Sequence, residues 1–149
     1  MILCALWIAA LSSASDEPPL RSRALERAVE VCQLVVESAE RQDVPPTLAV
    51  ALAWNESRLR FGLRSSCGAR GPMQVIPRFW CPDKRGRWRA NGEHIEKGCD
   101  LVEAGVFALS YYLAHHGEIM RALRAYGGTR NYAARVFRLY EHIENLTEH

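Results

Sequence analysis

Leu48-Ala49-Val50-Ala51-Leu52-Ala53-Trp54-Asn55-Glu56-Ser57 is the stretch on which the reading of this chain turns. Residues 48–54 are apolar without interruption, so a helix here has no polar stripe and belongs at the centre of the molecule. Val44-Pro45-Pro46 sets its start. A residue before proline disfavours helix, and Pro46 suits the first helical position, where its missing N–H is not needed. The spacing predicts a helix from Pro46 to Ser57, with Glu56 at its C-terminal end. The negative end of the helix dipole and apolar surroundings both disfavour a carboxylate. A raised pKa is therefore expected for Glu56, as a general acid working near neutral pH requires.

Working outward, the chain reads as helices around this element. Leu25, Ala28, Val29, Cys32, Val35, Val36 and Ala39 recur at three- and four-residue steps, predicting a helix from Ser22 to about Gln42 with one buried face. Residues 58–82 read as irregular loop with turns at Gly62, Gly68 and Gly71, and residues 83–98 as a polar, Gly- and Arg-rich hairpin or open loop. Helical periodicity returns from Asp100 through Leu101, Ala104, Ala108, Leu109, Tyr112 and Leu113 and breaks at His116-Gly117. A short helix is expected from Glu118 to Ala125, a turn at Tyr126-Gly127-Gly128, and a last helix from Thr129 to Asn145 with Tyr132, Val136, Leu139, Tyr140 and Ile143 on one face. The fold class expected is all-α: one compact helical domain with little or no strand.

The 149 residues suit one core, and 48% hydrophobic with 24% charged residues is ordinary globular composition. A net charge of +2 gives no footing for nucleic-acid binding, though a mildly basic surface suits a polyanionic polymer. Residues 1–14 open with an apolar run, Met1 to Leu11, and then small residues, Ser12-Ser13-Ala14. The run matches a signal-peptide core and is too short for a typical membrane span. The expected organisation is an export signal over 1–14, a polar linker over 15–21 and one domain over 22–149, with no membrane span left once the signal is removed. The run has no Lys or Arg before it, which leaves a signal-anchor or a mis-assigned start as alternatives.

Four cysteines follow the signal: Cys32, Cys67, Cys81 and Cys99. In an exported chain they suggest disulfides, with three pairings open. Cys81–Cys99, closing the Arg- and Gly-rich loop, is the first choice, which leaves Cys32–Cys67. No Cys-x-x-Cys spacing argues for zinc, and the adjacent His115 and His116 do not share a helix face. No metal or cofactor is expected.

Glu56-Ser57, then Ser65, then Gly68-Ala69-Arg70-Gly71-Pro72-Met73-Gln74, followed by Ala125-Tyr126 and Arg130-Asn131-Tyr132, resembles the lytic transglycosylases of the soluble, lysozyme-like type. Ala104-Gly105 matches that family's Ala-Gly pair. The resemblance spans about residues 44–140. Pro72 stands where the family has Leu, and Gly127 where Asn follows the Tyr. The resemblance implies a lysozyme-like helical domain that cleaves the bond between N-acetylmuramic acid and N-acetylglucosamine in peptidoglycan. It implies Glu56 as single general acid and base, giving 1,6-anhydro ends.

Glycosidases more often use two carboxylates; Asp43, Glu93, Asp100 and Glu103 are all distant from Glu56 in sequence. By resemblance Ser57 helps hold substrate or the acid loop, Met73 shapes an apolar wall, and Gln74 hydrogen-bonds the sugar. Tyr126 and Tyr132 are expected to bring their hydroxyls beside Glu56. Read blandly, Ser57 ends a helix, Met73 fills a core gap, Gln74 faces solvent and the tyrosines are amphipathic core. The basic run Asp83 to Arg89 is either a solvated loop or a substrate rim, with Trp88 or Trp80 stacking on a sugar. The partners expected are peptidoglycan glycan strands met by an exported, periplasmic or extracellular monomer, bacterial or phage-borne. Two rivals stay open: a goose-type lysozyme-like hydrolase using water and a second carboxylate, and a non-catalytic peptidoglycan-binding module.

Overall fold

The structure is a computed structural model, and it describes residues 2–81 and 92–147. The basic run from Asp83 to Arg89, with Trp88, lies outside the described residues. Within them the chain forms α1 (Ile2–Ala14), α2 (Ser22–Arg41), α3 (Pro46–Ser57), α4 (Pro77–Trp80), β1 (Ile95–Glu96), β2 (Cys99–Asp100), α5 (Leu101–His116), α6 (Ile119–Gly127) and α7 (Arg130–Thr147). The strands form one small antiparallel hairpin, pairing Ile95 with Asp100 and Glu96 with Cys99. The fold is a helical, lysozyme-like domain.

α3 is the axis of the core. Every residue from Thr47 to Trp54 is buried, because α2 packs on one side and α7 on another. α5 lies against α2 and α6, and α6 closes against α7. Polar ties register the outer helices. Glu103 on α5 accepts hydrogen bonds from Ser38 (2.7 Å) and Arg41 (2.6 Å) of α2. The Asp100 carboxylate caps α5, accepting from the backbone N–H groups of Val102 and Glu103.

Three features were not foreseen from the sequence. The first is helix α1, formed by Ile2–Ala14 of the segment expected to be an export signal. Cys4, Trp7, Ile8 and Leu11, at the i, i+3, i+4, i+7 spacing of one face, are buried, and α1 packs on α7 and α2. Its other face carries Leu3 and Leu6, exposed at 48% and 59%. Because both faces are apolar, the periodicity does not show in the sequence.

The second concerns the cysteines. Cys81 is joined to Cys99, but Cys32 pairs with Cys4, and Cys67 is free and exposed. Cys32 sits on the buried face of α2, where α1 packs, whereas Cys67 sits in a surface turn, so the Cys32–Cys67 pairing does not form.

The third is the turn expected at Tyr126-Gly127-Gly128. α6 runs on through Gly127, and the chain turns only at Gly128, whose left-handed φ of 88° suits glycine. The four-residue helix α4, inside the expected loop, was not foreseen either; Pro77 opens it.

Candidate active site

Glu56 lies one residue before the end of α3, part-buried. Burial is the largest influence on its carboxyl and raises its pKa; a hydrogen bond from Tyr132 and the positive charge of Arg135 pull the other way. Burial wins, and the pKa rises from 4.5 to about 7. The group is therefore poised to hold its proton near neutrality and also to give it up.

Tyr132 delivers that hydrogen bond across 76 residues of sequence: its hydroxyl donates to Glu56 Oε2 at 2.8 Å. Burial, and then the nearby Glu56 charge, pushes the Tyr132 pKa upward, so the phenol stays a neutral donor at any working pH. The backbone N–H of Tyr132 is held by the Thr129 hydroxyl at the start of α7. Its ring lies against Gly127 so closely that a Cβ there would fall 2.0 Å from Tyr132 Cδ1. The glycine where the family pattern has Asn is thus a packing requirement of this chain: a side chain at 127 would displace the tyrosine that touches the acid.

Tyr126, expected to bring its hydroxyl beside Glu56, donates that hydroxyl to the carbonyl of Met73 at 2.7 Å. Burial, followed by the Glu56 charge, raises its pKa well above the usual value, so Glu56 is within electrostatic reach while the hydroxyl pins the 68–74 loop to α6. Met73 is fully buried, and a Cβ on Gly105 would lie 2.2 Å from its own. The Ala104-Gly105 pair therefore lets the loop settle onto α5.

Ser57 is buried, and its hydroxyl is engaged within the protein. It donates to the carbonyls of Ala53 (3.2 Å) and Pro72 (2.8 Å) and accepts from Arg60 N–H. Gln74, at a left-handed φ of 53°, donates through Nε2 to the carbonyls of Leu63 and Gly71, each at 2.9 Å. Ser57 ties the loop to the end of α3 and Gln74 ties the loop to itself, and these donors are not turned outward to a ligand. Ser65, read as part of the same motif, accepts from the backbone of Ala69 through its hydroxyl.

Sequence reasoning missed three residues around the acid. Arg135, one turn along α7 from Tyr132, acts on Glu56 through its charge. Arg58 and Leu59 adopt left-handed φ values of 57° and 58° directly after α3, conformations that cost non-glycine residues energy. Arg58 is locked there by Glu17 (2.7 Å), by the Trp54 carbonyl and by stacking over the Trp54 ring at 5.3 Å. A run of arginines in the sequence shows no such assignment; the i, i+3 step from Tyr132 to Arg135 was the one usable signal. Among the described residues no group of three or more His, Cys, Asp or Glu side chains is placed to hold a metal.

This helical domain thus holds a part-buried carboxyl near the end of its central helix, under a tyrosine from its last helix. The chain belongs to the transglycosylase SLT domain family, whose model matches residues 33–145. Comparison with curated proteins and with solved structures finds no match. Family membership implies a transglycosylase-type enzyme acting on peptidoglycan, outside the cytoplasm. Two disulfides suit such a compartment.

Proposed function

We infer that this protein is a peptidoglycan lytic transglycosylase in which Glu56 is the single general acid and base. One observation carries the reading: a carboxyl raised to about 7 by burial and held by the Tyr132 hydroxyl. The groups that act on Glu56 are burial, Tyr132 and Arg135, with no second carboxylate among them. Most glycosidases pair two acids, and a single-acid mechanism accords with the absence of a carboxylate among the influences on the Glu56 pKa.

In the reaction, protonated Glu56 donates to the glycosidic oxygen of N-acetylmuramic acid, and the bond from C1 to that oxygen breaks. The substrate's own acetamido oxygen supports the positive charge at C1. Glu56, now a carboxylate, takes the proton from the muramic acid 6-hydroxyl, whose oxygen closes on C1. The proton count returns to its start, and no water is consumed. Tyr132 stabilises the carboxylate stage by its hydrogen bond, and Arg135 adds its charge. Ser57, Met73, Gln74 and Tyr126 hold the loop that frames the acid.

Mass spectrometry of products from purified glycan strands tests this. Anhydro ends, one water lighter than reducing ends, are expected. Hydrated products would move the protein to the lysozyme-like hydrolases, and no products from the wild type would leave only a wall-binding role.

A further inference from the structure

The last turn of α3 is held from outside the helix on both sides of Glu56. Trp54, two residues before the acid, donates its indole N–H to the Ser15 hydroxyl at 2.9 Å. Arg58, two residues after it, donates through Nε to the Glu17 carboxylate at 2.7 Å. The short segment from Ser15 to Glu17 thus grips both ends of the turn that carries the acid. That segment precedes residues 33–145, the part of the chain that the family model matches, so the grip lies outside the family pattern.

Arg58 needs holding. It closes α3 in the left-handed conformation, a place that helices most often give to glycine, and Leu59 follows in the same region at φ 58°. Two consecutive non-glycine residues there store backbone strain that persists only where the surroundings enforce it. Packing supplies little on the outer side, where Leu20 and Ala24 of one segment and residues 59–62 of the other line a cavity of about 650 Å³. Polar ties take its place. The Arg58 backbone N–H and one guanidinium N–H both go to the Trp54 carbonyl, the guanidinium lies over the Trp54 ring, and Glu17 binds Nε.

We propose that Glu17 is a positioning residue for Glu56: acting through Arg58, it holds the left-handed turn that ends α3 and so sets where the acid stands. The proposal rests on the reading of Glu56 as the acid and adds a residue outside the family pattern. Burial, Tyr132 and Arg135 are what act on the Glu56 carboxyl, and Glu17 is not among them, so its effect travels through the backbone. The Glu17 and Arg58 side chains are 37% and 32% exposed. Such a pair contributes little to global stability, and its consequence is read at the site.

The test compares Glu17→Gln with the wild type in the full chain, on purified glycan strands. With the acid loosened, kcat should fall about tenfold while KM stays within about twofold, and Tm should hardly move. A looser turn admits water to Glu56, so its pKa should fall toward 4.5. The high-pH limb of the rate profile and the Glu56 carboxyl titration followed by NMR should both move to lower pH. Arg58→Gly supplies the control, because glycine adopts the left-handed conformation unaided. That variant should stay active and should make Glu17→Gln silent when the two are combined. An unchanged kcat and pH limb in Glu17→Gln overturn the proposal, and so does a kcat loss that follows a large drop in Tm. An inactive Arg58→Gly, or a Glu17→Gln cost that persists beside it, overturns it as well. If the wild type releases no anhydro product while the NMR titration still shifts in Glu17→Gln, the reaction reading fails and the positioning role stands.

Discussion

α1 and α3 look alike as sequence, since each is a short helix apolar on nearly every side, yet they do opposite things. α3 is enclosed all round, and its last turn holds the acid. α1 buries one face, Cys4, Trp7, Ile8 and Leu11, and leaves Leu3 and Leu6 in solvent. α3 has α2 and α7 to cover it, while α1 lies at the outside of the same two helices. An apolar run therefore states that burial is favourable, at about 25 cal/mol per Å², without stating how many neighbours will come to cover it.

That contrast can be broken or sharpened by experiment. The largest effect belongs to α3. Glu56→Gln should lower the rate of anhydro-product release by at least about a thousandfold, about 4 kcal/mol in barrier, with the fold kept by circular dichroism. Retained activity would strip α3 of its chemical role.

Next, Leu52→Ala in α3 and Leu11→Ala in α1 remove side chains that are both fully buried. Each should cost about 2–5 kcal/mol in denaturant unfolding. A negligible cost at Leu11 would show that α1 is not a working part of the core. Replacing Cys4 and Cys32 together by serine releases a loop with a sequence separation of 28. The chain-entropy account puts the loss at about 3.5 kcal/mol, read as a lower Tm under non-reducing conditions.

The pH dependence separates the helices further, because α1 carries no titrating group. Glu56 has a folded pKa of about 7 against 4.5 unfolded. The folded state binds the proton more tightly, so this contribution is fully present below pH 4.5 and is lost as the pH rises through 7. The loss is on the order of 3 kcal/mol, at about 1.4 kcal/mol for each pH unit. Stability of the wild type should fall over that window relative to Glu56→Gln, and parallel curves would contradict the buried carboxyl. The smallest effect is Tyr132→Phe. Losing the hydrogen bond that lowers the Glu56 pKa should move the pH–rate profile upward and cost about tenfold in rate, about 1.4 kcal/mol. An unmoved profile would detach Tyr132 from the acid.

Much of the scaffold was legible because its causes are local. The three- and four-residue steps in Leu25 to Ala39 marked α2, and the proline pair marked the start of α3. The break at Gly117 was visible because a left-handed residue ends α5 there, at φ 69°. The loop was harder. Its residues could be tied to the acid through a motif, but whether Ser57 and Gln74 turn to a ligand or to the backbone depends on carbonyls elsewhere, on Pro72, Leu63 and Gly71. Tyr126 raised the same difficulty, as its partner is the carbonyl of a residue 53 positions away.

By itself the sequence determined that a buried helix ends in a carboxyl, since seven apolar residues followed by Asn55-Glu56 have few other ways to fold. Hydrophobic pattern and helix-end preferences act over a few residues and need no partner to be named. Tertiary structure alone decided that Tyr132 meets Glu56, that Gly127 must be small for the ring to arrive, that Cys32 takes Cys4 rather than Cys67, and that the charge of Arg135 reaches the acid. Those are choices among distant groups of similar chemistry, and they are made by which surfaces the packed helices bring within a few ångströms.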